Sequence, residues 1–198
     1  AYKSINESFV HAGAANECKV EVEPIHAEAL EVIDNIGEAL SHLDGVLVAP
    51  GFGERGIEGK INAIRYLREN NLPFFGICLG MQCAVIDVAR HLAKMPKAHS
   101  TEFAPKTPFP VVDLMLEQKK ITQIGGSMRL GVYPCRLKPG SLAHKAYGRD
   151  LVHERHRHRY EVNNTLLGAL EASGLIVAGR APGTNLCEMV ELPKDGPN

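Results

Sequence analysis

Two hydrophobic periods alternate along this chain. Tyr2 to His11 reads as a helix, with Ile5, Phe9 and Val10 able to share a face. From Lys19 to Pro24, Val20 and Val22 alternate with charged neighbours, the pattern of a strand. Ala27 to Ala39 is mixed, helix or loop. Gly45-Val46-Leu47-Val48 is a short apolar strand that runs into Ala49-Pro50-Gly51-Phe52-Gly53. Glu58 to Asn70 predicts an amphipathic helix, with Ile61, Ile64 and Leu67 on one side and Lys60, Arg65 and Arg68 largely on another. Leu72 to Ile77 predicts a buried strand, after which Met81, Val85, Val88 and Leu92 recur at helical spacing. Proline and lysine are frequent from Pro96 to Lys120, which predicts mostly loop. Met128 to Leu137 and Val152 to Val162 read as β segments, compatible with antiparallel pairing. Leu166 to Ser173 predicts a short helix, and Leu175 to Ala178 and Leu186 to Val190 predict strands.

Strands and helices that alternate at these lengths predict an α/β fold, a mostly parallel sheet flanked by helices on both faces, with a small antiparallel β addition. No repeat, low-complexity tract or linker divides the chain, so 1–198 is read as one domain. In such sheets chemistry collects at the carboxyl ends of strands. Both the Gly51 loop and Cys78 fall at such ends.

Gly76 and Gly80 bracket Cys78 in a G-x-C-x-G pattern where the apolar strand meets the helix. This is the nucleophile-elbow pattern with cysteine in the place of serine. Larger residues at the two glycines would crowd the turn, and the helix N-terminus behind the sulfur favours thiolate over thiol. The bland alternative is a small buried cysteine in a strand–helix joint.

Composition narrows the setting. Net charge is -1, so nothing points to a general nucleic-acid or membrane surface. No apolar run is long enough to span a bilayer and no signal peptide is read at the start. The 5 cysteines are odd in number and lack metal-like spacing; Cys78 and Cys83 do not form C-x-x-C. Reduced thiols in a cytoplasmic protein are the plain expectation.

Other candidate chemistry lies around the cysteine. Backbone amides of Leu79 and of the Gly51 turn are natural donors to an oxyanion formed by attack on an amide carbonyl. A phosphate loop is the competing reading. The chain lacks G-x-x-x-x-G-K-[ST], and Gly51-Phe52-Gly53-Glu54-Arg55-Gly56 matches a dinucleotide fingerprint only as letters. The segment His153-Glu154-Arg155-His156-Arg157-His158-Arg159-Tyr160-Glu161 is the oddest composition in the chain. On a strand, Arg155, Arg157 and Arg159 would face one way and His156, His158 and Tyr160 the other. The arginine row fits carboxylate or phosphate recognition, or else a solvated edge strand. A metal site at His156 and His158 lacks acidic or cysteine partners nearby in sequence. Glu102, in Ser100-Thr101-Glu102-Phe103, is read as a loop carboxylate.

Taken in order, these segments resemble the class I glutamine amidotransferase domain of the CTP synthase family. The resemblance runs over Ala1-Tyr2-Lys3-Ser4, Gly51 to Gly56, Gly76 to Gln82, Ser100 to Phe103, Met128-Arg129-Leu130-Gly131, Glu154 to Glu161 and Val190-Glu191-Leu192-Pro193. It implies a flavodoxin-like fold and a glutaminase that works through a Cys78 glutamyl thioester. It implies Gly51 and Leu79 amides at the oxyanion, Gly80, Met81 and Gln82 along the substrate wall, and Glu102 and Arg159 anchoring glutamine. Ammonia would pass to a synthetase domain that uses ATP and Mg2+ to convert UTP to CTP, with GTP as activator. No cofactor and no metal are implied for this domain, and neither nucleic acid nor membrane is an expected partner. The family suggests a homotetramer for the whole protein, and a monomer is compatible with this domain alone.

The chain departs from the family in three places. The opening glycine-containing strand and the closing His-Pro-Glu motif are not in it, so the domain reads as trimmed at both ends, with crippled turnover expected. Ala49-Pro50 stands where many members have Pro-Gly, and proline has no N–H. A degenerate domain that binds glutamine or a partner without turnover is the alternative, as is another cysteine hydrolase of the same fold, such as a γ-glutamyl hydrolase or a peptidase.

Overall fold

The computed structural model describes residues 3–32, 36–114 and 129–193. Helix α1 (Lys3–Ala15) follows the opening pattern. Residues 19–24 form no strand: no described strand pairs with them, and Val20 and Val22 are exposed. Alternation alone does not hold a strand that lacks a neighbour for its backbone groups. The mixed stretch becomes a 3-10 turn (Ala27–Glu31) and a short helix, α2 (Ile36–Leu40).

The next four elements carry the elbow. They are β1 (Val46–Val48), α3 (Ile57–Glu69), β2 (Phe74–Gly76) and α4 (Leu79–His91). The two strands pair in parallel, with Val48 opposite Gly76. The apolar face of α3 is buried through Ile61, Ile64 and Leu67. Arg68, expected on its polar side, is instead nearly buried and donates from Nε to Asp87 Oδ2 of α4 at 2.8 Å. Helix α4 is covered almost all round: Val85 and Val88 are in the core, and so are Cys83 and Ile86.

The stretch expected to be mostly loop holds two strands, β3 (Ala98–Ser100) and β4 (Phe109–Leu114). Its prolines misled the reading because Pro110 sits within β4, pairing with the short strand β3 opposite His99. The part of that stretch from 115 to 120 lies outside the described residues. Beyond it come β5 (Arg129–Leu137), α5 (Leu142–Tyr147), β6 (Leu151–His158), β7 (Tyr160–Val162), α6 (Asn164–Ala172), β8 (Ile176–Arg180) and β9 (Cys187–Glu191). Helix α5 was not expected; Ser141 caps it by accepting from the His144 N–H at 3.0 Å.

The sheet differs from expectation. Among the described residues the parallel pairings are β1 with β2 and β3 with β4, while β7 joins β4 antiparallel. The largest sheet is four-stranded and antiparallel, in the order β6-β5-β8-β9. The antiparallel part is therefore not a small addition. Sequence periodicity reports which face of a strand is buried, not which neighbour it meets. No described helix is long and apolar enough to cross a membrane.

Glu58 staples three elements together. Its carboxylate accepts Arg90 Nη1 and Nη2 of α4 at 2.7 and 3.0 Å, and His99 Nε2 of β3 lies 3.4 Å away. His99, with Arg90, holds the Glu58 carboxyl down to about 2, against 4.5 ordinarily. The unfolded chain thus takes up the proton first, so this stability is present above pH 4.5 and is lost as pH falls towards 2. Glu58→Gln is expected to cost about 1 kcal/mol at neutral pH, since the group is half exposed, and to remove that acid-side slope. Urea unfolding from pH 2 to 7 reads both; an unchanged slope would refute the staple.

Candidate active site

Cys78 sits between β2 and α4 with φ 55 and ψ -105, a conformation L-residues rarely adopt. Neighbouring hydrogen bonds hold it there: Ile77 N–H donates to Val48 O at 3.1 Å, Gly80 N–H to Ile77 O at 2.9 Å, and Gln82 N–H to Cys78 O at 3.1 Å. A Cβ on Gly76 would lie 2.6 Å from Gly80 C, and one on Gly80 would run into the Val48 carbonyl oxygen. Both glycines are thus required by close backbone approach, as the sequence pattern predicts.

The elbow opens into a cavity of about 130 Å³ walled by Cys78, Leu79, Gln82, Glu102 and Arg159, with Gly51 and Phe52 at one side. Four segments of the chain, far apart in sequence, converge there. Gly80 and Met81 do not line it: Gly80 faces Val48, and Met81 packs against the core. His158, Tyr160 and Phe52 line it and were not picked out as site residues. Their signal was adjacency, since they flank Arg159 and Gly51.

Glu102 reaches the cavity because its turn is pinned from below. Its N–H donates to buried Ser100 Oγ at 3.2 Å, while Thr101 donates from N–H to Val112 O at 3.0 Å and from Oγ1 to Asp113 Oδ1 at 2.7 Å. The predicted alternation holds along β6, where Arg155 and Arg157 are exposed and His156 and His158 are half-buried. It fails at Arg159. There the chain leaves the four-stranded sheet for β7 in the other sheet, and the bend turns Arg159 inward, its Nε buried without a hydrogen-bond partner. Gln82 Nε2 donates to Tyr160 O at 3.1 Å and so ties α4 to that bend.

Burial pushes the Cys78 thiol up from its ordinary value, and the Glu102 and Glu161 carboxylates add to this; the Leu79 N–H works the other way. The expected help from the helix N-terminus is present but outweighed. Burial also raises Glu102, against the pull of Arg159.

Behind the cavity lies a buried polar cluster. Arg129 Nη1 donates to Glu161 and to Glu188, each at 2.9 Å. His156 and His158 meet Glu188 of β9 here, and Glu161, three residues after His158, lies 3.4 Å from it, so the acidic neighbours that the sequence was read as lacking are present. Burial pushes Glu161 up to about 7 despite Arg129. The five cysteines are all free thiols.

Comparison with known proteins agrees with this geometry. The family model "Glutamine amidotransferase class-I" matches residues 1–196. A CTP synthase of Flavobacterium johnsoniae is 60% identical over 191 residues, 96% of this chain and 35% of that protein. A CTP synthase of Chloroherpeton thalassium is 57% identical over 97% of this chain and 35% of that protein. The chain thus spans about a third of the length of these relatives. Among solved structures, the glutaminase domain of Trypanosoma brucei CTPS with bound acivicin superposes with a TM-score of 0.85 at 33% identity, covering 96% of this chain and 73% of that one. With the elbow built as its pattern requires and the family match running through nearly every residue, the chain belongs to the class I glutamine amidotransferases.

Proposed function

We propose that this chain is the glutaminase domain of a CTP synthase, releasing ammonia from glutamine through a thioester on Cys78. The observation that carries the reading is one cavity holding a strained cysteine, a carboxylate and a guanidinium. Free glutamine has an α-ammonium and an α-carboxylate, which Glu102 and Arg159 complement. A peptidase groove has no use for that pair.

Cys78 Sγ attacks the side-chain amide carbon as the thiolate. The Leu79 N–H, with an amide of the Gly51 turn, holds the oxyanion. When the tetrahedral adduct collapses, the C–N bond breaks and ammonia leaves with the thiol's proton. Water then cleaves the thioester to glutamate. Gln82 braces the Arg159–Tyr160 bend, and Gly80 and Met81 set the turn behind Leu79. Among the described residues no histidine ring is hydrogen-bonded to the Cys78 thiol, whose pKa is raised. That observation favours the second reading, glutamine binding without hydrolysis.

In this reading 1–198 is one domain of a longer, cytoplasmic synthase. Ammonia goes to a synthetase domain where ATP and Mg2+ activate UTP, GTP is the activator, and the whole protein is a homotetramer. The described residues of this chain are assigned no part in ATP or Mg2+ binding.

Labelling with 6-diazo-5-oxo-norleucine and mass spectrometry test the pocket. Adduct is expected on Cys78, suppressed by glutamine. Glu102→Gln is expected to weaken that suppression about 10- to 100-fold, the worth of a hydrogen bond to a charged group, while Cys78 stays reactive. Protection by glutamine that is indifferent to Glu102 would refute the anchoring role, and labelling that glutamine does not touch would refute the reading.

A further inference from the structure

We propose a second ligand site next to the glutamine pocket: His156, His158 and Glu188 form a three-ligand site for a transition-metal dication of the Zn2+ type. This inference does not depend on the glutaminase reading.

One ligand atom from each residue lies within 4.8 Å of the others. His156 Nδ1 and His158 Nε2 face each other at 2.8 Å, and Glu188 Oε2 lies 3.4 Å from His156 Nδ1. The Glu188 side chain is 3% exposed, and those of His156 and His158 are 10% and 16% exposed, so the site is largely sheltered from water. Two imidazoles and one carboxylate are the donor set of open zinc sites; Mg2+ and Ca2+ prefer oxygen alone. Ligation by both nitrogens at about 2.0–2.1 Å requires them to part by about half an ångström. They sit on one strand two residues apart, and a change of side-chain rotamer supplies that.

Two further features support a ligand rather than a plain hydrogen bond. His158 Nδ1 is buried with no hydrogen-bond partner, and Glu161 Oε1 lies 3.4 Å from it. When Nε2 binds a metal, Nδ1 carries the proton, and a carboxylate at that position is the usual outer partner of a metal-bound histidine. Next, Glu188 divides its oxygens, with Oε1 on Arg129 Nη1 and Oε2 towards His156. Arg129 therefore orients the carboxylate without occupying its metal-facing oxygen. On binding, the ion takes the place of the proton shared by His156 Nδ1 and His158 Nε2, and each ring carries its proton on the nitrogen that does not ligate.

The charge balance is tolerable. With Glu161 ionised, Glu161 and Glu188 against Arg129 leave one negative charge, so a dication brings the cluster to one positive. The ion would tie the end of β6 to β9, one residue before the bend that turns Arg159 into the pocket.

Co2+ titration, read by visible absorption, tests the site in protein whose Cys78 has first been alkylated. One Co2+ per chain is expected, with ligand-field bands, no thiolate charge-transfer band, and displacement by Zn2+. His156→Gln and Glu188→Gln are each expected to weaken binding by about 100-fold or more, because even loss of an outer partner costs about 10- to 100-fold. Arg155→Gln, on the exposed face of the same strand, should leave it unchanged. Should either ligand variant melt before it can be titrated, paramagnetic broadening of the His156 and His158 ring signals in the unsubstituted protein gives the same answer. No Co2+ uptake, a thiolate spectrum, binding indifferent to His156, or broadening centred elsewhere would each overturn the proposal.

Discussion

Cys78→Ser is expected to lower glutamine-dependent ammonia release by at least about a thousandfold and to abolish capture of 6-diazo-5-oxo-norleucine. A serine hydroxyl at this position is far less acidic than the thiol, and loss of a nucleophile removes the covalent route itself. The same position makes a second, opposite forecast for stability. At φ 55 and ψ -105 the residue holds backbone strain of about 1–3 kcal/mol. Cys78→Gly relieves it, at a cost of under about 1 kcal/mol for the freer unfolded chain. An inactive protein that unfolds at higher urea concentration than the unsubstituted one is the expected result. If Cys78→Gly is instead less stable, the strain is not stored there; if Cys78→Ser still releases ammonia at an ordinary rate, Cys78 is not the nucleophile.

Gly80→Ala is expected to do the reverse and damage both fold and site. Its Cβ would meet the Val48 carbonyl oxygen, and that oxygen already accepts the Ile77 N–H. Backbone cannot swing aside as a flexible side-chain end does, so α4 must slide off β1. Overpacking of this kind costs about 1–3 kcal/mol, occasionally more, and the slide displaces the Leu79 amide from the sulfur. A new Cβ on Gly51 meets Leu79 Cδ2 at 3.4 Å and nothing closer, which makes Gly51→Ala the matched control. Urea midpoints together with labelling rates separate the two; equal midpoints would refute the packing argument.

Local features of the site were legible in the sequence, and long-range ones were not. The elbow was readable because its strand, its two glycines and its helix are contiguous and each obeys a simple steric rule. The buried face of α3 was readable for the same reason, through its period. What failed were statements about neighbours. Val20 and Val22 alternate correctly but have no partner strand, and the antiparallel sheet outgrew its expected share because pairing depends on where distant segments arrive. Arg159 follows strand alternation as letters, yet it turns inward because the chain changes sheets there. Glu188 is distant in sequence from His156, so no local pattern announces that the two meet. Without the family resemblance, Glu102 would have stayed an ordinary loop carboxylate; pattern alone gives a loop residue no direction.

The hydrogen bond from Gln82 to Tyr160 spans 78 positions of sequence. The strained turn closes only on Val48 of the neighbouring strand, whereas the pocket around it closes a loop of that length. Loop closure of this kind is slow compared with forming a helix or a short turn. The shorter closure costs less entropy, so the turn is expected to form ahead of the pocket. That order is expected to leave an interval in which the Cys78 thiol sits on its turn before the pocket closes over it.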